Sequence, residues 1–161
     1  MTLTTHAVVG ASMAILMPQH PVIAFCAAFA SHFALDAIPH RDYSIMSTSI
    51  NPRIGAPIQY DRAFFRDVFV IGGDAFVGVI LSLIFFATPQ NLLIVLCCAC
   101  VGILPDPLQF VYAHFRHEPL ISLQHFHHWI HTKYHMRDHL ILGVCSQAFF
   151  LAAIVFCVKL I

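Results

Sequence analysis

Polar residues of this chain are confined to short stretches that separate long apolar runs. The apolar runs cover residues 4–17, 20–38, 63–87, 91–112 and 139–160. A helix needs about 20 residues to cross a bilayer, and about 17–25 are tolerated, so the first run is short and the other four are long enough. The pattern predicts an all-α protein, an integral membrane bundle of four to five helices.

The connections between the runs indicate a single domain. Pro18 and Pro21, in the sequence MPQHP, indicate a tight turn after the first run because proline breaks helices. The first run has no basic segment before it and no small-residue cleavage site, so we interpret it as a retained span rather than a signal peptide. Two polar connections, 39–62 and 113–138, complete one helical domain over residues 1–161.

Composition agrees with the membrane class and excludes others. The chain is 59% hydrophobic and 10% charged, with a mean hydropathy of +0.79, whereas a soluble domain carries about 25% charged residues. A formal net charge of zero provides no basic field for nucleic acid, so no nucleic-acid partner is expected. All six cysteines lie in apolar runs, which is typical of small buried side chains rather than of disulfides or a zinc motif.

The distribution of the basic residues predicts the orientation of the chain in the membrane. If all five runs span, the N-terminus and both polar connections lie on one face of the membrane. Nearly all of the lysine and arginine residues outside the third run belong to that face: Arg41, Arg53, Arg62, Arg116, Lys133 and Arg137, with Lys159 opposite. The positive-inside rule then predicts a multi-pass protein of the inner (cytoplasmic) membrane with both long loops in the cytoplasm. A re-entrant first run would reverse part of this assignment.

Acidic and imidazole side chains collect at the predicted cytoplasmic end from four separate runs. They are His6, then His32, Asp36 and His40, then Asp67 and Asp74, and finally Asp106. Spacing by four residues places the second set on one helical face, although Pro39 can end that helix before His40. Asp67, close to Arg62 and Arg66, is interpreted as a salt-bridged helix end.

The stretch HFHHWIHTKYHMRDH at 125–139 predicts an amphipathic helix over 119–139. At about 100° per residue, one arc of about 120° carries five histidines: His125, His128, His131, His135 and His139. Trp129, on the opposite side, suits the headgroup zone. We expect a cytoplasmic interfacial helix whose histidine stripe faces the polar end of the bundle, with His127 on the surface.

Imidazoles and carboxylates together form the ligand set of Zn²⁺, Mn²⁺ and Fe. Ionisable residues inside membranes are costly and mark functional sites. The sequence therefore predicts a divalent transition metal, zinc first and manganese or iron as alternatives, among these ligands: His6, His32, Asp36, His40, His125, His128, His131 and His135. The surplus of ligands suits two ions, or one ion with a general base.

Four further residues are candidates for catalysis. Asp74 or Asp106 is the predicted general base, and Arg41 or Arg137 is predicted to hold an anionic group. Each of the four also fits a role without catalysis. Asp74, flanked by glycines, suits a close helix contact, Asp106 between two prolines suits a turn, and the arginines suit lipid headgroups.

The motifs TTHAVVGA, SHFALDAIPH and LPDP, followed by a late His-rich stretch, cover most of the chain in order. Together they resemble a family of small bacterial and archaeal membrane-bound proteins predicted to be metal-dependent hydrolases. The resemblance implies a hydrolase whose functional positions here are His6, His32, Asp36, His40, and His125 or His128. The family's usual late motif, of HRGxTHS type, is replaced in this chain by HFHHWIH.

We therefore predict a metal-dependent hydrolase that acts on a phosphoester or ester of a lipid-like substrate at the cytoplasmic leaflet. The bilayer and this substrate are the expected partners. The alternatives are a metal or proton transporter and a subunit that serves docking or heme binding without hydrolysis. A transporter needs polar residues on both sides of the membrane, whereas only His20 lies at the opposite end.

Overall fold

The computed structural model describes residues 1–47, 60–133 and 140–161. Within these ranges the secondary structure is entirely helical, which confirms the predicted all-α class. The seven helices are α1 (Leu3–Leu16), α2 (Pro21–Asp36), α3 (Arg62–Phe86), α4 (Leu92–Ile103), α5 (Pro105–His114), α6 (Leu120–Ile130) and α7 (Leu140–Lys159).

Helix boundaries follow local sequence signals. Pro21 is the first residue of α2, where its missing N–H costs nothing. Asp61 caps α3, because its Oδ1 accepts a hydrogen bond of 2.9 Å from the backbone N–H of Phe64. A sharp bend of 52° separates α4 from α5 at Leu104, directly before Pro105.

Two helices among the described residues, α3 and α7, are long and apolar enough to cross a membrane. The bent pair of α4 and α5 makes a third candidate if the two form one span. The helices formed by the first two apolar runs contain only 14 and 16 residues, fewer than the about 17–25 of an ordinary span. The structure thus has two to three candidate spans, fewer than the expected four to five, because α1 ends at Leu16 and α2 at Asp36.

The short helix α1 lies at the centre of the bundle. Helices α2, α3, α4 and α7 all pack against it. It crosses α4 where Gly10 faces Gly102: a Cβ atom on Gly102 would lie 2.6 Å from the carbonyl oxygen of His6. Two glycines therefore allow the two backbones to approach more closely than any side chain would permit.

The start of α1 lies level with the ends of α2 and α4. Helix α1 runs from this level alongside the second half of α3, since Thr4 contacts Asp74, half-way along α3. The end of α4 returns to the same level, where the carbonyl oxygen of Gly102 meets the side chain of His32. Polar side chains from several helices therefore meet at one end of a bundle whose other end is apolar.

Candidate metal centre

Four side chains from α2, α5 and α6 form a first group of ligand atoms. They are His32, Asp36, Asp106 and His127, and one nitrogen or oxygen atom of each lies within 4.8 Å of the others. His32 Nε2 is 3.2 Å from Asp36 Oδ2 and 3.4 Å from Asp106 Oδ1. His127 Nε2 is 2.9 Å from the same Asp36 oxygen. Two imidazoles and two carboxylates thus surround one point.

A second group shares Asp36 with the first and adds His40 and His131. His40 Nε2 lies 3.8 Å from Asp36 Oδ1, and His131 Nε2 lies 3.9 Å from Asp36 Oδ2. Asp42 borders this group, because its Oδ1 is 2.6 Å from His40 Nε2 and 3.9 Å from His131 Nε2. A carboxylate has two oxygens with about four lone-pair sites, so Asp36 can serve both groups at once.

Backbone carbonyls fix the orientation of two of these rings. His32 Nδ1 donates a hydrogen bond of 2.9 Å to the carbonyl oxygen of Gly102. His40 Nδ1 donates one of 2.6 Å to the carbonyl oxygen of Ile38. A carbonyl only accepts, so Nδ1 carries the proton in both rings and Nε2 points into the groups of ligands. Metal-binding histidines are oriented by this kind of hydrogen bond.

Two fully buried histidines carry nitrogen atoms that no hydrogen bond satisfies. Both ring nitrogens of His6 and Nε2 of His32 have no hydrogen-bond partner in the described part of the chain. His6 Nε2 is 3.2 Å from Asp36 Oδ1, but not at hydrogen-bonding angles. Its ring stacks on that of His32 with centroids 3.9 Å apart. An unsatisfied buried polar group costs about 1–3 kcal/mol. A cation bound at the lone-pair nitrogen of each ring would remove part of this cost, since a neutral imidazole has one such nitrogen and one N–H donor.

We refer to eight residues together as the His/Asp centre: His6, His32, Asp36, His40, Asp42, Asp106, His127 and His131. The Met1 backbone nitrogen also lies in it, 2.9 Å from Asp36 Oδ1 and 3.1 Å from Asp42 Oδ1. The side chains of Asp106 and Asp42 are 26% and 19% exposed, while that of Asp36 is 2% exposed. The centre is thus closed around Asp36 and accessible at its other two carboxylates.

Two residues outside the helical spans illustrate the electrostatics. Burial opposes a charge on Asp42, but the hydrogen bond with His40 holds the pKa of its carboxyl well below the usual range. Burial lowers the pKa of His131, against the carboxylates of Asp36 and Asp42. At neutral pH the centre therefore offers a carboxylate and a neutral imidazole here, the forms that bind metal ions.

The His-rich stretch contributes through a different face from the expected one. His125 and His128 are exposed and lie outside the centre, whereas His127, expected on the surface, is buried with its Nε2 at Asp36. The predicted helix over 119–139 is wrong in extent, because α6 ends at Ile130. The histidine arc was calculated for a helix that continued to residue 139, and it therefore assigned the wrong residues of α6 to the face that meets the bundle.

A different spacing would have found the buried face of α6. Gln124 and His127 are its two buried residues, and His131 follows four positions later with an extended backbone at the helix end. The polar positions i, i+3 and i+7 thus mark the face that meets α2. His135 and Arg137, together with His139, lie outside the described residues.

The candidate catalytic residues are divided between several places. Asp106 belongs to the first group, whereas Asp74 lies outside both groups. Asp74 accepts hydrogen bonds from the backbone N–H of Thr4, at 2.9 Å, and from the hydroxyl of Tyr43. It therefore fixes the first turn of α1 and the connection after α2. Asp67 accepts from Met46 and Ser47 and pairs with Arg66 at the start of α3.

Comparison of the chain with models of protein families, with curated proteins and with solved structures found no match. The resemblance of its motifs to membrane-bound hydrolases therefore stays a prediction.

Proposed function

We propose that the protein is a membrane-bound, metal-dependent hydrolase. The observation that carries the proposal is His32, a fully buried histidine whose Nδ1 is fixed by a backbone carbonyl and whose Nε2 faces Asp36 and Asp106 without a hydrogen bond. A buried imidazole prepared in this way, with carboxylates on either side, has the ligand chemistry of a divalent transition metal. Zinc fits this mixed set best, and manganese or iron also fits.

The two groups of ligands would bind two separate ions. The first group binds one ion and the second group binds another, with Asp36 between them. His127 Nε2 and Asp36 Oδ2, now 2.9 Å apart, would both hold an ion in the first group, which requires that the proton between them is lost. Such ions supply Lewis acidity and lower the pKa of water. Asp106, accessible and 3.4 Å from His32 Nε2, is placed to take a proton where it is not itself a ligand.

The substrate we propose is a phosphoester or ester of a lipid-like molecule. Asp42 of the centre lines one cavity together with residues of α3 and α7, the two long apolar helices, so an amphiphile can present its polar bond without leaving the bilayer. In this proposal the chain is an integral, multi-pass bundle of the inner membrane. Helices α1 and α2 lie within it, and the centre faces the cytoplasmic leaflet.

The packing of the helices supports an ion transporter less well than a hydrolase. The core beyond the His/Asp centre is mainly apolar: Ala7, Val8, Ala11, Ala14, Ala24, Ala28, Phe86, Val95, Cys98, Ala99 and Val158. Two buried hydroxyls, of Ser12 and Ser82, donate to carbonyl oxygens of their own helices. An ion that entered at the centre would meet these side chains rather than a second set of ligands. The same core counts against a proton pathway across the described helices, since ionisable side chains line such pathways.

Membrane sidedness gives a direct test of the proposed topology. Cysteines introduced at Met46, which is 68% exposed, and at Gln90, in the turn before α4, are expected to react with a membrane-impermeant maleimide from opposite sides. Met46 should react only after the cytoplasmic face is opened. The background variant needs all six native cysteines replaced by alanine, because four of them are exposed. Labelling of both positions from one side would contradict the topology.

Hydrolysis is tested by adding metal-loaded protein to phospholipids, polyprenyl phosphates, carboxylic esters and soluble phosphoesters. We expect product release by the parent, loss of release on chelation, and recovery when zinc or manganese is added back. The Asp36→Ala variant should release none, and His128→Ala, which changes an exposed residue of α6, should behave like the parent. If parent and Asp36→Ala behave alike on every substrate while the parent retains its metal, the centre binds metal without catalysing hydrolysis.

A further inference from the structure

A cavity of about 610 Å³ lies next to the His/Asp centre. The starts of α1 and α3, the connection after α2, and α7 all contribute to its lining. Sites for small molecules in proteins usually have volumes of about 300–1,000 Å³. The cavity is therefore large enough for a ligand, and neither of the two ligand groups occupies it.

The polarity of the side chains that line the cavity changes along α3. Arg66 and Asp67 line the cavity near the start of this helix, and Val70, Ile71 and Leu81 line it further along. Asp74, between the last two, also lines it and is hydrogen-bonded to the backbone N–H of Thr4 and the hydroxyl of Tyr43. Arg66 and Leu81 are separated by about 22 Å along the helix axis, at about 1.5 Å per residue. Leu151 of α7 adds to the apolar portion. The cavity is thus elongated, with a polar end and apolar walls, which matches the shape of a single hydrocarbon chain with a polar head group.

Arg41 carries an N–H group without a partner in a cavity whose carboxylates already have donors. Asp42 accepts from His40, Asp67 pairs with Arg66, and Asp74 accepts from Thr4 and Tyr43. Arg41 Nη1 is buried and has no hydrogen-bond partner in the described ranges. The side chain lies against Gly143, where a Cβ atom would come within 2.8 Å of Arg41 Cβ. Its carbonyl oxygen accepts a hydrogen bond of 3.0 Å from Gln147. A guanidinium stays charged and its planar N–H groups suit phosphate or carboxylate, so this position calls for an anionic group.

The polar end of the cavity also adjoins the second ligand group. Asp42 lines the cavity and is hydrogen-bonded to His40 at 2.6 Å. At the rim, Val70 of α3 is 46% exposed and Val144 of α7 is 53% exposed. These two helices are the candidate membrane spans. A molecule dissolved in the surrounding bilayer can therefore reach the cavity from the side and place its head group next to the centre.

We propose that this cavity binds an amphiphile with a single hydrocarbon chain and an anionic, phosphate-bearing head group. The chain lies between α3 and α7, and the head group is bound by Arg41. That the bound molecule is the substrate of the His/Asp centre rests on the hydrolase function proposed above. The binding of the amphiphile does not rest on that function, since none of the residues that hold it belongs to the first ligand group.

Photo-crosslinking tests the proposal on the full chain in phosphatidylcholine nanodiscs. The probe is hexadecyl phosphate with a diazirine at the chain end, and the labelled peptides are identified by mass spectrometry. We expect labels around Leu81 and Leu151. Unlabelled hexadecyl phosphate should compete for the site, whereas inorganic phosphate and hexadecyl maltoside at equal concentration should not. Arg41→Gln should reduce labelling by about tenfold, the usual effect of losing one charged hydrogen bond.

Two tryptophan variants of α7 provide a matched control. Ala148→Trp fills the cavity and should abolish labelling, while Ala152→Trp, at an exposed position of α7 away from the lining, should not. Labelling should persist in His32→Ala, so a loss of hydrolysis with labelling intact counts only against the hydrolase function. Competition by inorganic phosphate equal to that of hexadecyl phosphate, or full labelling of Ala148→Trp, would overturn the proposal.

Discussion

Replacing Asp36 with asparagine is expected to abolish metal binding at both of the proposed ion sites. Asp36 is the one residue that the two ligand groups share, and asparagine keeps its size while losing the negative charge. Loss of an outer-shell partner alone costs about 10–100-fold in metal affinity, so loss of a shared ligand should cost at least about 100-fold. Metal content per chain, measured by mass spectrometry after equilibration with buffered zinc, checks this result.

Single-group variants show whether Asp36 joins two sites. His127→Ala and His131→Ala each remove a ligand from one group, so each should retain about half of the parent's metal. The matched control is His125→Ala, which changes an exposed histidine of the same helix as His127 and should bind metal like the parent. An Asp36→Asn variant that retained one ion at the parent's affinity would show that the two groups do not share this carboxylate. These variants also separate ligand loss from unfolding, because His127 and His131 contribute to different groups.

Gly102→Ala is expected to destabilise the fold and to weaken metal binding together. The new Cβ atom would lie 2.6 Å from the carbonyl oxygen of His6 and 3.0 Å from Gly10 Cα. Both atoms belong to the backbone, so no side-chain rotation relieves the contact and α1 must move away from α4. Overpacking typically costs about 1–3 kcal/mol, which corresponds to an unfolding temperature lower by roughly 4–10 °C. Thermal unfolding in detergent, with metal content measured in parallel, checks both effects.

Gly73→Ala is the control for this variant. A Cβ atom there has no other heavy atom within 4 Å, and alanine is favoured over glycine inside a helix by about 1 kcal/mol. The variant should therefore unfold at the parent's temperature or slightly above it, with unchanged metal content. If Gly102→Ala also unfolds at the parent's temperature, α1 and α4 do not cross as closely as described.

Spacing within one helix was readable from the sequence. His32 and Asp36 are four residues apart, so the helical repeat alone places them on one face, and the structure brings them together. His40 follows the same interval but lies beyond the end of α2, and it joins the centre because the connection after Asp36 turns back. Asp106 was likewise indicated by its position at the end of an apolar run.

The sequence did not show in the same way which faces of different helices and connections meet. His127 was missed because the face of α6 depends on where that helix ends, and residues beyond Ile130 do not continue it. Asp42 was missed because its role depends on the path of the connection after α2. The predicted four to five spans are confirmed only as two to three candidates, because apolar composition continues through positions where α1 and α2 end, at Leu16 and Asp36.

The position of α1 has a consequence for the order in which the protein is made. His6, His32 and Asp36 are synthesised early, and Asp106 and His127, the partners of His32 and Asp36 on α5 and α6, follow late; Asp36 and His127 are 91 positions apart. The short hairpin of α1 and α2 therefore enters its surroundings with His6, His32 and Asp36 compensated only by one another and by the Met1 nitrogen, until α5 and α6 add Asp106 and His127. An ion can be bound by the full ligand set only after α6 has docked. If the centre binds metal as proposed, loading would be the last step of biogenesis, and the ion would connect the latest elements of the chain to the earliest.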